Sequence, residues 1–131
     1  NKNMAKHKVV HFEIPTGDFK KSKEFYSKTF GWKLKTWGNE YMMATTTDLD
    51  AKTQRPNEMG GINGGFYVRK NKSQQPSFVV ETDSIEKTLA KVVKAGGKTK
   101  RAKTPIGEMG FMAELVDPDG NNISLWEEVK K

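Results

Sequence analysis

Sliding the chain along itself by 66 positions brings Phe12 onto Phe78, Ile14 onto Val80, Thr16 onto Thr82 and Phe19 onto Ile85. The polar residues suited to opening a helix, Asp18 and Ser84, coincide, as do Lys21 with Lys87, Lys28 with Lys94 and the stop glycines Gly31 with Gly97. Agreement at strand, cap, helix face and stop does not come from composition, so the chain reads as one structural unit written twice. That duplication restricts the fold strongly. Whatever one copy forms, the other must form too, and 131 residues leave room for one domain with a modest core.

Within the first copy, Val9 to Ile14 is β-branched and apolar and reads as a strand ended by Pro15-Thr16-Gly17. Asp18 caps a helix running to Thr29, with Phe19, Phe25, Tyr26 and Phe30 as its apolar residues and Gly31 as its stop. Trp32 to Trp37 and Tyr41 to Thr47 read as strands joined at Gly38-Asn39. Asp48 to Met59 reads as a loop, and the glycines Gly60, Gly61, Gly64 and Gly65 lead into a strand over Phe66 to Val68. Arg69 to Pro76 is polar, charged and closed by proline, the composition of a linker.

The second copy then runs Ser77 to Glu81 as a strand and a helix capped by Ser84 with Ile85, Leu89, Val92 and Val93 inward. A short edge strand over Lys98 to Arg101, a longer one over Gly110 to Val116, a turn at Asp117 to Gly120 and a last strand over Asn122 to Glu127 complete it. The expected fold class is α+β: two tandem βαβββ modules forming a cupped sheet with the helices outside. Domain bounds follow as a single domain over 8–127, with module one at 8–68, a linker at 69–76 and module two at 77–127. The polar start, residues 1–7, reads as a disordered or tag-derived N-terminus without an apolar signal region.

Composition removes several functions. No cysteine is present, which excludes disulfides, thiolate metal sites and cysteine nucleophiles and fits a cytoplasmic protein. No apolar run is long enough to span a bilayer, so no membrane association is expected. The net charge of +7 favours an anionic small-molecule ligand, but the lysines are scattered over helix faces and only three arginines occur, so nucleic acid is not expected as a partner. The glycines lack a following GK[ST] or a GxGxxG at a helix start, which leaves no nucleotide loop.

The stretch HFEIPTGDFKKSKEFYSKTFGWKLK, the glycine-rich fourth strand and the closing DPDGNNISLWE resemble the vicinal oxygen chelate superfamily. That group includes glyoxalase I, extradiol dioxygenases and the bleomycin- and fosfomycin-resistance proteins. The resemblance runs from Val9 to Glu127 and is closest to small glyoxalase-like proteins of unassigned activity. It implies the paired modules and a cavity between them; it does not by itself carry chemistry, which resides in the site. Metal-using members hold the ion with His or Glu from the first and last strands of each repeat. On this chain the resemblance assigns those positions to His11, Gly65, Ser77 and Ser124. Only His11 keeps a ligand side chain, and a stable site needs about three protein ligands, so no metal and no other cofactor is expected.

Alternation places Glu13 on the His11 face and Val79 and Glu81 on the corresponding face after Ser77, while Met112, Glu114 and Val116 turn away from the core of Phe111, Ala113 and Leu115. A His11–Glu13–Glu114 cluster therefore supplies candidate catalytic residues, as a shifted metal site or an acid/base set, whereas Glu13 solvated or paired with lysine at the rim is the plainer alternative. The expected pocket comprises His11, Glu13, Tyr41, Met43, Gly65, Tyr67, Ser77, Val79, Ser124 and Trp126. Three functions stay open: a glyoxalase-like small-molecule binding protein with a degenerate metal site, a metal-dependent lyase, isomerase or dioxygenase with a shifted site, or a drug-sequestering resistance-type protein. A homodimer is expected, because open sheets have edges to protect.

Overall fold

A computed structural model describes residues 6–130. The expectation for the N-terminus lies, for residues 1–5, outside the described residues; Lys6 and His7 are irregular and exposed. The elements in chain order are β1 (Val9–Thr16), α1 (Phe19–Phe30), β2 (Lys33–Trp37), β3 (Tyr41–Thr45), β4 (Asn63–Val68), β5 (Ser77–Glu81), α2 (Ile85–Lys94), β6 (Lys98–Ile106), β7 (Gly110–Val116) and β8 (Asn122–Glu128). This is the α+β class, strand–helix–three strands written twice. None of the helices among the described residues is long and apolar enough to cross a membrane.

The chain divides into two compact units, one of residues His11–Pro76 and one that joins Ser77 onward to the residues before His11. In the first unit the strand order is β2-β3-β4-β1, antiparallel except for the parallel β4–β1 pair. The second unit has the order β5-β8-β7-β6, with β5 and β8 parallel. The extreme start of β1 belongs with this second unit, where the Lys8 carbonyl accepts from the Glu81 amide at 2.9 Å.

Helix starts show the duplication atom by atom. Thr16 Oγ1 accepts from the Asp18 amide at 3.1 Å and meets Ser22 Oγ at 2.6 Å, while Asp18 Oδ1 accepts from the Lys21 amide at 3.1 Å. Sixty-six positions on, Thr82 Oγ1 accepts from the Ser84 amide at 3.2 Å and meets Thr88 Oγ1 at 2.7 Å, and Ser84 Oγ accepts from the Lys87 amide at 3.2 Å. A hydroxyl two residues before each cap thus fixes the entry of both helices, satisfying amides that a helix start leaves orphaned. The helix ends do not keep the same offset. α1 closes at Gly31 with φ 73°, but α2 stops earlier and its left-handed residue is Gly96, φ 100°, rather than Gly97.

Each unit buries one sheet face under its helix. Leu34, Met42, Ala44 and Phe66 form the first core, flanked by Phe12, Ile14, Phe19, Tyr26 and Trp32. Ile85, Leu89, Ala113, Leu115 and Leu125 form the second, flanked by Val80, Val92, Phe111 and Ile123. Three apolar residues expected inward are instead exposed: Phe25, Phe30 and Val93, at 56%, 57% and 58%. α1 meets the core through Phe19 and Tyr26, while Phe25 and Phe30 sit edge-on to one another with ring centroids 6.3 Å apart, Phe30 also lying 5.5 Å from Trp32.

Three strands run at least two residues beyond their sequence reading, and β1 does so through Pro15 and Thr16, which pair with Tyr67 and Val68 rather than ending the strand. β4 begins at Asn63, because Asn63, Gly64 and Gly65 pair with His11, Phe12 and Glu13 on one side while Gly64 and Gly65 pair with Ala44 and Met43 on the other. β6 reaches Ile106 past irregularities between Thr99 and Arg101 and between Arg101 and Thr104, and its edge position accommodates Pro105 opposite Phe111.

Candidate functional site

Register fixes which side chains share a face. In the first unit, Phe12, Ile14, Met42, Ala44 and Phe66 turn toward α1, so His11, Glu13, Tyr41, Met43, Gly65 and Tyr67 occupy the opposite face. Glu13, Gly65 and Met43 stand in one cross-strand row, and Tyr67 and Tyr41 stand in the next.

Tyr41 organises this face. Its hydroxyl lies 2.9 Å from His11 Nε2. To reach it, the phenol crosses over Gly65, and a Cβ placed on Gly65 would overlap the ring and its oxygen. The space a side chain at Gly65 would need, the position the resemblance gives to a metal ligand, is therefore filled by a tyrosine from the neighbouring strand. Burial pushes the Tyr41 hydroxyl far above the usual phenol range, and the charge of Glu13 pushes it the same way. Burial also lowers His11 below its ordinary value. At neutral pH the pair is a neutral imidazole and a neutral phenol sharing one hydrogen bond. Glu13 is partly buried, Met43 is exposed and Tyr67 is partly buried.

In the second unit, Val80, Leu125, Ala113 and Leu115 turn toward α2, which puts Ser77, Val79, Glu81, Glu114, Ser124, Trp126 and Met112 on the other face. Ser124 and Val79 are buried cross-strand partners at 7% and 6% exposure, and Ser77 is partly buried at the head of β5. Trp126 lies against Gly110, where a Cβ would come within 2.6 Å of the indole. Glu114 pairs across to Arg101 and holds its guanidinium at 3.6 Å.

The residues present do not fit the divalent metal that the resemblance implies. His11 spends Nε2 on Tyr41, Gly65 is covered by the phenol, and the hydroxyls at Ser77 and Ser124 are poor ligands for zinc-like ions. Among the described residues, no group of three or more His, Asp or Glu side chains is arranged to hold a metal ion.

Three features escaped the sequence reading. Glu127 is 8% exposed on the helix side of β8; its carboxylate accepts from the Ile85 amide at 2.8 Å and pairs with Lys103 at 3.2 Å. The Ile85 amide and then the Lys103 ammonium hold the Glu127 carboxyl below its usual range. Lys103 also lies 4.4 Å from the Phe111 ring centroid. The parity of β8, counted from Leu125, would have placed Glu127 inward. Asn63, in register with His11, and Thr47 are the others: Asn63 Oδ1 accepts from the Thr46 and Thr47 amides at 2.7 and 2.9 Å. A residue read as glycine-rich loop gave no signal for that.

Comparison with known proteins agrees with this architecture. The Glyoxalase/Bleomycin resistance protein/Dioxygenase superfamily pattern matches residues 8–125. The protein named "Putative glyoxylase CFP32" of Mycobacterium bovis is 26% identical over 120 residues, covering 88% of this chain and 43% of that protein, so the chain spans less than half of this relative's length. A glyoxylase-like domain-containing protein of Didymella fabae is 30% identical over 94 residues, 69% of each chain. Methylmalonyl-CoA epimerase of Streptomyces coelicolor superposes with a TM-score of 0.65 at 16% identity, over 93% of this chain and 97% of that one, a likeness of fold alone. With the paired modules and the match over nearly its whole length, the chain belongs to the Glyoxalase/Bleomycin resistance protein/Dioxygenase superfamily.

Proposed function

We propose that this protein binds a small polar molecule on the His11–Tyr41 face without a metal ion. The observation that carries the reading is the 2.9 Å bond between His11 Nε2 and the Tyr41 hydroxyl, with the phenol lying over Gly65. Burial opposes charging either partner, so the pair suits hydrogen bonding to a ligand better than moving protons. Within the first unit the proposed binding face comprises His11, Glu13, Tyr41, Met43, Gly65 and Tyr67. The compartment is taken to be the cytoplasm, on the absence of cysteine.

The test uses chelator-treated protein and thermal denaturation against a panel of small carbonyl compounds and thioesters, including methylmalonyl-CoA, with each compound recovered and weighed by mass spectrometry. Stabilisation by at least one compound in the presence of chelator, weakened in Tyr41→Phe, is expected. Stabilisation that requires added zinc, nickel or manganese would overturn the reading in favour of a metal-dependent lyase, isomerase or dioxygenase. Recovery of the stabilising compound unchanged assigns a binding or sequestering protein, and recovery of a product assigns an enzyme.

A further inference from the structure

The face that carries the His11–Tyr41 pair continues onto β2, where Trp37 stands opposite Tyr41 and Lys35 opposite Met43. Of the exposed large apolar residues in the first unit, Phe25 and Phe30 lie on α1, and Leu49 and Met59 lie between β3 and β4. The two on strands are Trp37 and Met43, and both belong to this face. They are diagonal neighbours across β2 and β3, a spacing that aromatic and long side chains bridge. Trp37 packs against Tyr41, with ring centroids 6.4 Å apart and planes at 84°. Indole, phenol and imidazole thus form one line of contacts from Trp37 through Tyr41 to His11. An indole oriented before binding loses little freedom when a flat ring packs on it, and a thioether beside it adds a favourable contact to that ring.

Charge on this face runs in one direction. A cross-strand row starts at Lys35 on β2, passes Met43 and then Gly65 with the Tyr41 ring over it, and ends at Glu13 on β1. Lys35 and its same-face neighbour Lys33 are exposed, while the charge of Glu13 is felt at Tyr41. A ligand lying along the row is therefore favoured with an anionic group toward β2 and disfavoured with one beside Glu13. Lys35 and Trp37 are two residues apart on one strand face, about 7 Å, which is close to the length of a benzene ring with its carboxylate.

We infer that the ligand of this face is an aromatic carboxylate, its ring packed on Trp37 and Met43 and its carboxylate paired with Lys35. A hydroxyl or carbonyl substituent on the other edge of the ring is left for the Tyr41–His11 pair. The inference names the ligand class of the His11–Tyr41 face and rests on the reading of that face as a metal-free binding site.

The test is an NMR titration of the intact, chelator-treated chain with 4-hydroxybenzoate, 4-hydroxybenzamide and acetate, following the Trp37 indole N–H, the Met43 methyl and the His11 ring. The acid is expected to shift all three signals, the amide to bind about twofold to fivefold more weakly, and acetate to leave Trp37 and Met43 unmoved. Lys35→Gln is expected to bring the acid down to the affinity of the amide, and Trp37→Leu to weaken both about threefold to tenfold. Both side chains are exposed on an edge strand, so neither variant removes core. Equal affinity for acid and amide in the wild-type chain would overturn the carboxylate assignment, and a Trp37→Leu chain that binds like wild type would overturn the ring site. Shifts confined to His11 would overturn the ring site while the reading of the His11–Tyr41 face stood. Shifts at Trp37 and Met43 with His11 unmoved would keep the ring site and sink that reading. Silence at all three residues would sink the inference.

Discussion

Tyr41 over Gly65 is a packing arrangement with a measurable consequence at single residues. Gly65→Ala adds a methyl group where the phenol already lies and is expected to destabilise the fold by about 1–3 kcal/mol in chemical denaturation. Tyr41→Ala in the same chain should restore part of that loss, a non-additivity that no isolated glycine defect would produce. His11 provides a second handle. Because burial lowers its pKa in the fold, the unfolded chain binds more protons below about pH 6.5, the ordinary histidine value. Stability therefore falls as pH drops below that value. Denaturation curves at pH 7.5 and 5.5 should show the loss, and His11→Gln should flatten it. A His11 variant with an unchanged slope would place the acid sensitivity elsewhere.

At the scale of elements, the second unit is tied together by one carboxylate. Glu127 on β8 reaches the first amide of α2 and the ammonium of Lys103 on β6, so it links three elements at once. Glu127→Ala strands a buried helix-start amide and leaves the partly buried Lys103 only the exposed Glu86 at 3.4 Å, and is expected to cost about 2–4 kcal/mol by denaturant titration. Since its folded pKa is depressed, that stabilisation is present above the unfolded carboxyl value of about 4.3 and is lost as pH falls through the lower folded value. Glu127→Gln should keep the amide bond and lose the acid-side slope.

Much of this level was legible in the sequence, and the reasons are specific. Strand alternation around His11 and around Phe111 was readable because one face of each strand is greasy. The helix starts were readable because Asp18 and Ser84 are good caps. The length of β4 was not, since Asn63-Gly64-Gly65 has turn composition and becomes strand only through partners on both sides. The Tyr41–His11 bond joins residues 30 apart in sequence, and no local pattern encodes it.

For the whole molecule, the edge strands bear on how copies associate. β2 presents Lys33 and Lys35, and β6 presents Lys98, Lys100 and Arg101 with two irregularities, devices that oppose strand-to-strand pairing. The exposed Phe25 and Phe30 are different. Their counterparts 66 positions on are Lys91 and Gly96, so the second copy of the unit folds without aromatics there. The expected homodimer is accordingly predicted to use α1, and sedimentation should show a dimer that Phe25→Ser with Phe30→Ser converts to a monomer with an unchanged far-UV circular dichroism spectrum. A dimer indifferent to both changes would move the interface elsewhere.

The central claim is that a neutral His11–Tyr41 pair occupies the face where the resemblance implies metal ligands at His11 and Gly65. Elemental analysis after incubation with zinc, nickel and manganese and removal of excess ion tests it most directly. The account predicts no stoichiometric ion on the wild-type chain; one ion per chain, lost on His11→Ala, would contradict it.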